Sequence, residues 1–290
     1  MPPDAPIDPA LRIGAVRLAV GDLSRSSDFY ERVLGLPLIS LDENGALLGV
    51  DRERPALILG GLQNPAQASP RSTGLFHVAW LHPSRAALAE TVRRVVQGRW
   101  RIDGAADHGV SEALYLSDPD GLGIEIYVDR PRDQWKHRAD GRGVEMVTLP
   151  LDLEDLLAQA PAGFEPEIAA GTAIGHVHLK VSDVPRAVAF YSGVLGLQEQ
   201  ARLPSAAFLS AGGYHHHVGL NSWQSSGEGP PPQNAPGLRL IGFELGGKDA
   251  LSSLERRLAE PLGESGFARG QDGRISLRDP DGQLLCFGHR

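Results

Sequence analysis

Between Gly104 and Tyr127 the chain reads GAADHGVSEALYLSDPDGLGIEIY, and three residues in it could do chemistry together: His108, Tyr115 and Glu125. An imidazole, a phenol and a carboxylate brought to one place can bind a metal ion or pass protons. LYLS alternates, DPDG is a tight-turn signal and GIEIY alternates again, so the stretch reads as strand, hairpin, strand. In the last strand Ile124 and Ile126 share one face, while Glu125 and Tyr127 point to the other. A carboxylate in an apolar strand needs a partner opposite it unless that face is solvated. Taken alone, the stretch leaves both readings open.

Histidines elsewhere bear on the choice. His77 sits in LFHVAWL, His176 and His178 in GHVHLKV, and His215, His216 and His217 follow Tyr214 directly. Alternation in HVHLKV puts Val177, Leu179 and Val181 on one face, which should pack on helices. His176, His178 and Lys180 then face the opposite, concave side. A single strand histidine is more often a satisfied interior residue than a ligand. His77 gains interest because a glutamate and a second histidine arrive at matched positions. The triple-histidine run also reads as a polar strand end. His82, His137 and His289 are expected at the surface.

The elements that must position these groups come from a duplication. IGAVRLAVGDLSRSSDFYERVLGL, from Ile13, returns 161 residues later as IGHVHLKVSDVPRAVAFYSGVLGL, from Ile174. The same spacing carries LSDPDGLGIEIY at Leu116 onto LRDPDGQLLCFG at Leu277. Each half divides again. A strand at Val16–Val20 runs into a helix from about Ser24, with Gly35 suited to its C-terminal stop. A strand at Leu75–Leu81 runs into a helix from Ser84, a good N-cap, that ends at Gly98. The second half repeats the plan, with a strand at His176–Val181, a helix at Pro185–Leu195, a strand at Leu238–Leu245 and a helix at Ala250–Leu258. The fold expected is α+β: four βαβββ modules in two paired sets. Modules one and two span residues 12–130. A linker with a short helix, LDLEDLLAQA, spans 131–171, and modules three and four span 172–290.

Composition bounds the partners. At 290 residues the chain has room for two domains, and no apolar run approaches membrane-span length. A net charge of −8 without a basic block argues against nucleic acid and for a small-molecule partner. Cys286 is the only cysteine, so no internal disulfide can form and a cytoplasmic location fits. The proline-rich, acidic start MPPDAPIDPA reads as a loose arm.

Four βαβββ modules, with FY..VLGL after a first helix and DPDG before a last strand, resemble the vicinal oxygen chelate superfamily over nearly the whole chain. That superfamily includes glyoxalases, bleomycin-resistance proteins and extradiol dioxygenases, so the fold does not decide the chemistry. The hairpin narrows it. His108, Leu114–Tyr115, Asp118–Pro119–Asp120–Gly121 and Glu125 follow the signature of the extradiol ring-cleaving dioxygenases. VSEALYLSDPDG and SAGGYHHHVGLN are most similar to the short, two-domain bacterial catechol 2,3-dioxygenases.

The resemblance implies two histidines and one carboxylate on one face of Fe(II), with Mn(II) as the other candidate. The ligands it implies are His77, His176 and Glu125. It implies His216 as acid–base catalyst, selected from the run by matching HHVGL where strand parity alone also allows His215 or His217, with Tyr115 and His108 orienting the substrate. The substrates implied are a small aromatic diol and O2, and ring opening occurs beside the diol. The exposed edge strands allow a homodimer. A metal-dependent glyoxalase-type isomerase or lyase, or a non-catalytic binding or resistance protein, are the alternatives.

The duplication tests where the centre lies. At the common spacing His176 falls on Ala15, His77 on Leu238, Glu125 on Cys286, His108 on Arg269, Tyr115 on Ser276 and His216 on Pro55. Neither half holds a complete set, but modules two and three together do. The expectation is that these two pair around one ion, and that modules one and four pair around an empty cup.

Overall fold

A computed structural model describes residues 6–139, 143–263 and 265–290. Module one runs β1 (Arg12–Val20), α1 (Leu23–Arg32), β2 (Leu38–Asp42), β3 (Gly45–Gly49) and β4 (Pro55–Gly61). Module two runs β5 (Gly74–His82), α2 (Arg85–Gln97), β6 (Gly104–Asp107), β7 (Ser111–Ser117) and β8 (Gly123–Asp129). The linker carries α3 (Leu153–Ala158). Module three runs β9 (Ala173–Lys180), α4 (Val184–Val188), β10 (Gln198–Leu203), β11 (Ala206–Ser210) and β12 (Val218–Asn221). Module four runs β13 (Gly237–Leu245), α5 (Lys248–Leu262), β14 (Ala268–Arg269), β15 (Ile275–Arg278) and β16 (Leu284–His289). The fold is α+β, four modules that each run strand, helix and three further strands.

Local chemistry sets the helix boundaries. Asp22, Ser84 and Asp183 accept hydrogen bonds from the amides of Arg25, Ala87 and Arg186, capping α1, α2 and α4. Gly35 takes the left-handed conformation, at φ 81°, that the turn after α1 needs. The helix expected at Pro185–Leu195 is α-helical only to Val188 and winds on as a π turn, Ala189–Val194. Gly193 and β-branched Val194 are weak α-helix formers at that point.

Among the described residues the strands form two sheets of eight. One has the order β14-β15-β16-β13-β1-β4-β3-β2 and the other β10-β11-β12-β9-β5-β8-β7-β6. The outer modules therefore share one sheet through β1 and β13, and the inner modules share the other through β5 and β9, both pairs antiparallel. The first strand of each module buries one face in the main core with the helices: Val16 and Leu18, Val78 and Trp80, Val177 and Leu179, Ile241 and Phe243. A smaller cluster of Ala79, Ala113 and Tyr127 lies apart from that core, on the other face of the inner sheet.

The repeated motifs join the two sheets within each half. The Tyr30 hydroxyl donates to Asp118 at 3.1 Å, and Tyr191 to Asp279 at 2.9 Å. Asp120 accepts from the Gly21 amide and pairs with Arg25; Asp281 accepts from the Ser182 amide and pairs with Arg186. FY on the first helix and DPDG on the last hairpin are thus the two sides of one staple.

Register corrects one correspondence. Val16 faces Ile241, and its duplicate Val177 faces Val78. Val78 therefore matches Ile241, and His77 matches Leu240, not Leu238, because Gly74 and Gly237, which open β5 and β13, lie 163 positions apart rather than 161. Ala79 faces His176 just as Gly242 faces Ala15, which leaves Ala15 as the counterpart of His176.

Two expectations fail. In the proline-rich start, residues 1–5 lie outside the described residues, but the part that follows is docked. Ile7 and Leu11 are buried, the Ile7 amide bonds the Gly196 carbonyl, and Asp8 accepts from the Gly246 amide. His82 is not a surface residue. It is buried, with Nε2 2.9 Å from the Thr91 hydroxyl and Nδ1 3.1 Å from the Trp80 carbonyl. The core-facing parity of β5 extends one residue past the apolar run and takes His82 with it. His137 and His289 are exposed, as expected.

Burial pushes the His82 imidazole down from 6.5 to about 4. Between those values the unfolded chain binds a proton that the folded protein refuses, so stability falls as pH falls. The loss attributable to His82 approaches about 3 kcal/mol once the pH is below 4. Urea unfolding of wild type and His82→Gln should diverge below pH 6.5, with the wild type losing stability faster; parallel curves would refute this.

Candidate metal centre

Three neighbouring strands present the chemistry. Glu125 on β8, Ala79 on β5 and His176 on β9 lie in one row across the inner sheet. Ala79 is fully buried and offers only a methyl, so the side chains on either side can meet above it. His77 enters from two residues earlier on β5, next to a register shift between Leu75 and His77.

The three side chains converge. His77 Nε2 is 2.9 Å from Glu125 Oε2, His176 Nε2 is 3.1 Å from the same oxygen, and the two nitrogens are 3.3 Å apart. All three residues are buried: His77 is 5% exposed, Glu125 3% and His176 1%. Among the described residues this is the group of three or more His, Cys, Asp or Glu side chains that could hold a metal ion.

The donor set fits a divalent ion. Donors about 2.1 Å from an ion lie about 3.0 Å apart in an octahedral set and about 3.4 Å apart in a tetrahedral one. Two of the three edges here match the octahedral spacing. Direct hydrogen bonding satisfies the triangle less well, because two N–H groups aimed at one oxygen would crowd each other. Two histidines and a carboxylate on one triangular face leave the opposite positions of a six-coordinate ion open.

The electrostatics agree. Burial favours neutral imidazole and holds His176 down to about 4, although Glu125 opposes the shift. Burial would raise the Glu125 carboxyl, yet His176 and His77 together hold it well below the ordinary carboxylate range. His176 is thus a neutral nitrogen donor and Glu125 an anionic oxygen, the protonation states that metal ligation requires. His176 Nδ1 is buried without a protein partner, so the ring is held from its Nε2 side.

The other expected residues surround this triangle. The His108 Nδ1–H donates to the Val147 carbonyl at 2.8 Å, which leaves Nε2 to accept from the Tyr115 hydroxyl, 2.6 Å away. The Tyr115 ring centre is 5.8 Å from that of His77. Burial, then the charge of Glu125, raises the Tyr115 phenol, so it stays a hydrogen donor. The His216 ring lies 4.0 Å from that of His176 and is buried, which keeps it neutral.

Neighbours within the triple-histidine run do different work. His217 Nδ1 accepts from the Ala211 amide and fixes the turn, and His215 faces Asp129. His178 packs against Phe76, Trp223 and His77, and the Asn221 amide donates to its Nε2. Gly219 makes room for it, since a Cβ there would come within 2.8 Å of the His178 ring.

Several participants had no place in the sequence reading. Asp129 continues the parity of Glu125 and Tyr127 along β8, and that alternation could have found it. The Val147 carbonyl that fixes His108 belongs to the linker backbone, which leaves no mark in residue identity.

Glu125→Ala should leave the folded protein unable to retain stoichiometric divalent metal, as elemental analysis after gel filtration would show. An Ala15→His variant of the outer sheet should gain none, because Leu240 and Cys286 stand in place of the other two donors.

Comparisons with known proteins agree with this architecture. A family model described as the Glyoxalase/Bleomycin resistance protein/Dioxygenase superfamily matches residues 12–126 and again 173–287. The chain is 41% identical over 249 residues to catechol-2,3-dioxygenase of Bacillus subtilis (strain 168), covering 85% of this chain and 87% of that one. It is 28% identical over 127 residues to lactoylglutathione lyase of Escherichia coli O157:H7, covering 41% of this chain and 94% of the lyase. The crystal structure of glyoxalase I from Zea mays superposes with a TM-score of 0.59 at 17% identity, covering 96% of this chain and 92% of that one, a likeness of fold alone.

Proposed function

The chain belongs to the glyoxalase/bleomycin resistance protein/dioxygenase superfamily, and we propose that within it this protein is an Fe(II)-dependent extradiol dioxygenase. Its reaction opens the ring of catechol or a substituted catechol, breaking the ring C–C bond beside the diol. Both atoms of O2 enter the product, so no external reductant is consumed. The observation that carries the reading is the buried His77–Glu125–His176 triangle, in a chain that aligns along most of its length with a catechol-2,3-dioxygenase.

Iron bound by these three residues would supply open coordination positions and a path for electrons between an aromatic diol and O2. Mn(II) suits the same donors. One carboxylate and two neutral imidazoles offset only one of a divalent ion's two charges, so the cup favours a catechol monoanion over the neutral diol. His108, its Nδ1 committed to Val147, keeps Nε2 and the Tyr115 hydroxyl as one hydrogen-bonding unit that orients a substrate oxygen. His216, beside His176, serves as the acid–base residue, taking and returning a proton at its imidazole. Phe76, Phe208 and Trp223 around His178 and His216 supply apolar walls for an aromatic ring. A reducing cytoplasm suits ferrous iron and the lone thiol of Cys286.

Isomerase or lyase chemistry without oxygen is the rival reading. The lyase likeness spans 41% of the chain, whereas the triangle draws on both halves, which favours the dioxygenase.

Protein loaded with Fe(II) without air, then given catechol and O2, should form a yellow ring-opened semialdehyde with one O2 consumed per catechol. His216→Asn should retain iron yet lose about 10²-fold or more in kcat, the usual scale of a missing acid–base group. Iron-loaded protein that consumes no O2 across a panel of catechols and hydroquinones would overturn the assignment.

A further inference from the structure

His216 does not stand alone behind the proposed reaction. Its Nδ1 lies 2.7 Å from Nδ1 of His215, and His215 Nε2 lies 2.8 Å from Asp129 Oδ1. Asp129 Oδ1 also accepts from the Tyr214 hydroxyl at 3.1 Å, and the Tyr214 and Tyr127 hydroxyls are 2.7 Å apart. His215 is fully buried, and Gly175 leaves the space that the Tyr127 hydroxyl occupies, since a Cβ there would sit 1.8 Å from it. Nothing in the resemblance or the comparisons gives His215 or Asp129 a role.

Donor and acceptor rules fix the hydrogens along this chain. A carboxylate only accepts, so His215 carries its hydrogen on Nε2. With its one ring hydrogen on Nε2, the His215 imidazole offers a lone pair at Nδ1. Two facing Nδ1 atoms need one hydrogen between them, so His216 must carry it. The lone pair of His216 is left on Nε2, its other ring nitrogen. Were the group at position 129 a donor instead, every hydrogen in the series would reverse, and His216 Nε2 would carry a proton rather than a lone pair.

We propose that Asp129 and His215 are positioning residues that impose the Nδ1–H tautomer on His216 and so leave its Nε2 as the base. The inference rests on His216 being the acid–base residue of the proposed dioxygenase. It assigns work to two side chains that need not touch substrate or metal. Tyr214, reinforced by Tyr127, holds the Asp129 carboxylate in place for that task.

Asp129→Asn is nearly isosteric, but its amide can donate to His215 Nε2 and so reverse the series. In the iron-loaded full chain this variant should lose about 10²-fold in kcat for catechol, with KM within about threefold and iron content unchanged. Asp129→Glu, still an acceptor, should recover part of the loss. His215→Gln can present a carbonyl to His216 and an amide to Asp129, so it should keep more activity than His215→Leu. If Asp129→Asn fails to fold or to retain iron, the His215 pair decides by the same criterion. Wild-type kcat in Asp129→Asn, or equal activity in the two His215 variants, overturns the inference. His216→Asn run alongside separates the failures: wild-type kcat there sinks the acid–base role itself, whereas an impaired His216→Asn with unaffected Asp129 and His215 variants sinks only the tautomer control.

Discussion

The antiparallel ladder between β5 and β9 is the constraint on which the centre depends. It sets Ala79 opposite His176, while the parallel ladder to β8 sets Ala79 opposite Glu125. A slip of one residue would turn every side chain of a strand to the other face. It would move His176 into the apolar core and expose Val177 in its place. What prevents the slip is the buried side of the same strands. Val78 and Trp80 on β5, and Val177 and Leu179 on β9, are almost completely buried. Burial of each such side chain contributes about 1.5–3 kcal/mol. The polar triangle is therefore held in register by the apolar face behind it.

That arrangement separates what the duplication shares from what it does not. The staple of tyrosine on aspartate recurs in both halves with nearly the same geometry, Tyr30 on Asp118 and Tyr191 on Asp279. Each copy ties one sheet to the other within its half. The same holds for Arg94 and Arg257, which bond the carbonyls ending the first helices of their halves. Among the described residues the donor triangle occurs once, and its counterparts are Ala15, Leu240 and Cys286. The motifs that most readily identify the fold are thus scaffold, and they are symmetric because both halves must be built. The chemistry can be asymmetric because the sheets pair modules from different halves, so only one of the two cups needs donors.

Legibility follows the same division. The repeat, the DPDG hairpin and the parity of Glu125 could be read because each is a periodic or turn signal carried by residue type. His77 and His176 could be read because the duplicated positions opposite them are plainly inert. Where reading failed, the cause was a local shift or a backbone partner. Two extra residues before β13 moved the counterpart of His77 from Leu238 to Leu240, a shift that a constant spacing cannot express. His82 was expected at the surface, yet the core side of β5 continues beneath α2, which supplies Thr91 as its partner. The first residues read as a loose arm because they are proline-rich and acidic, but buried Ile7 and Leu11 and the bonds of the Ile7 amide and Asp8 dock the segment. Val147 entered the centre through a carbonyl, and every residue has one.

The cup also places an unusual load on the inner sheet. His77, His176, His178, His215, His216 and His217 are all buried, with Glu125 and Asp129 as the carboxylates bonded to them. Burying a charged imidazole is costly, so burial holds His176, His178, His216 and His217 below the usual imidazole range, and the packing supplies specific partners: Asn221 for His178, the Ala211 amide for His217, Asp129 for His215. Glu125 is different, because its neighbours are two imidazoles that compete for one oxygen. A divalent cation held by all three side chains would relieve the whole triangle at once. Metal affinity and stability of the inner sheet are then linked through Glu125, since an ion bound only by the folded state stabilises that state. The outer sheet, with a methyl, an isobutyl group and a thiol at the same three places, carries no such burden. It serves the centre indirectly, through β1 and β13, which lie against β9 and β5.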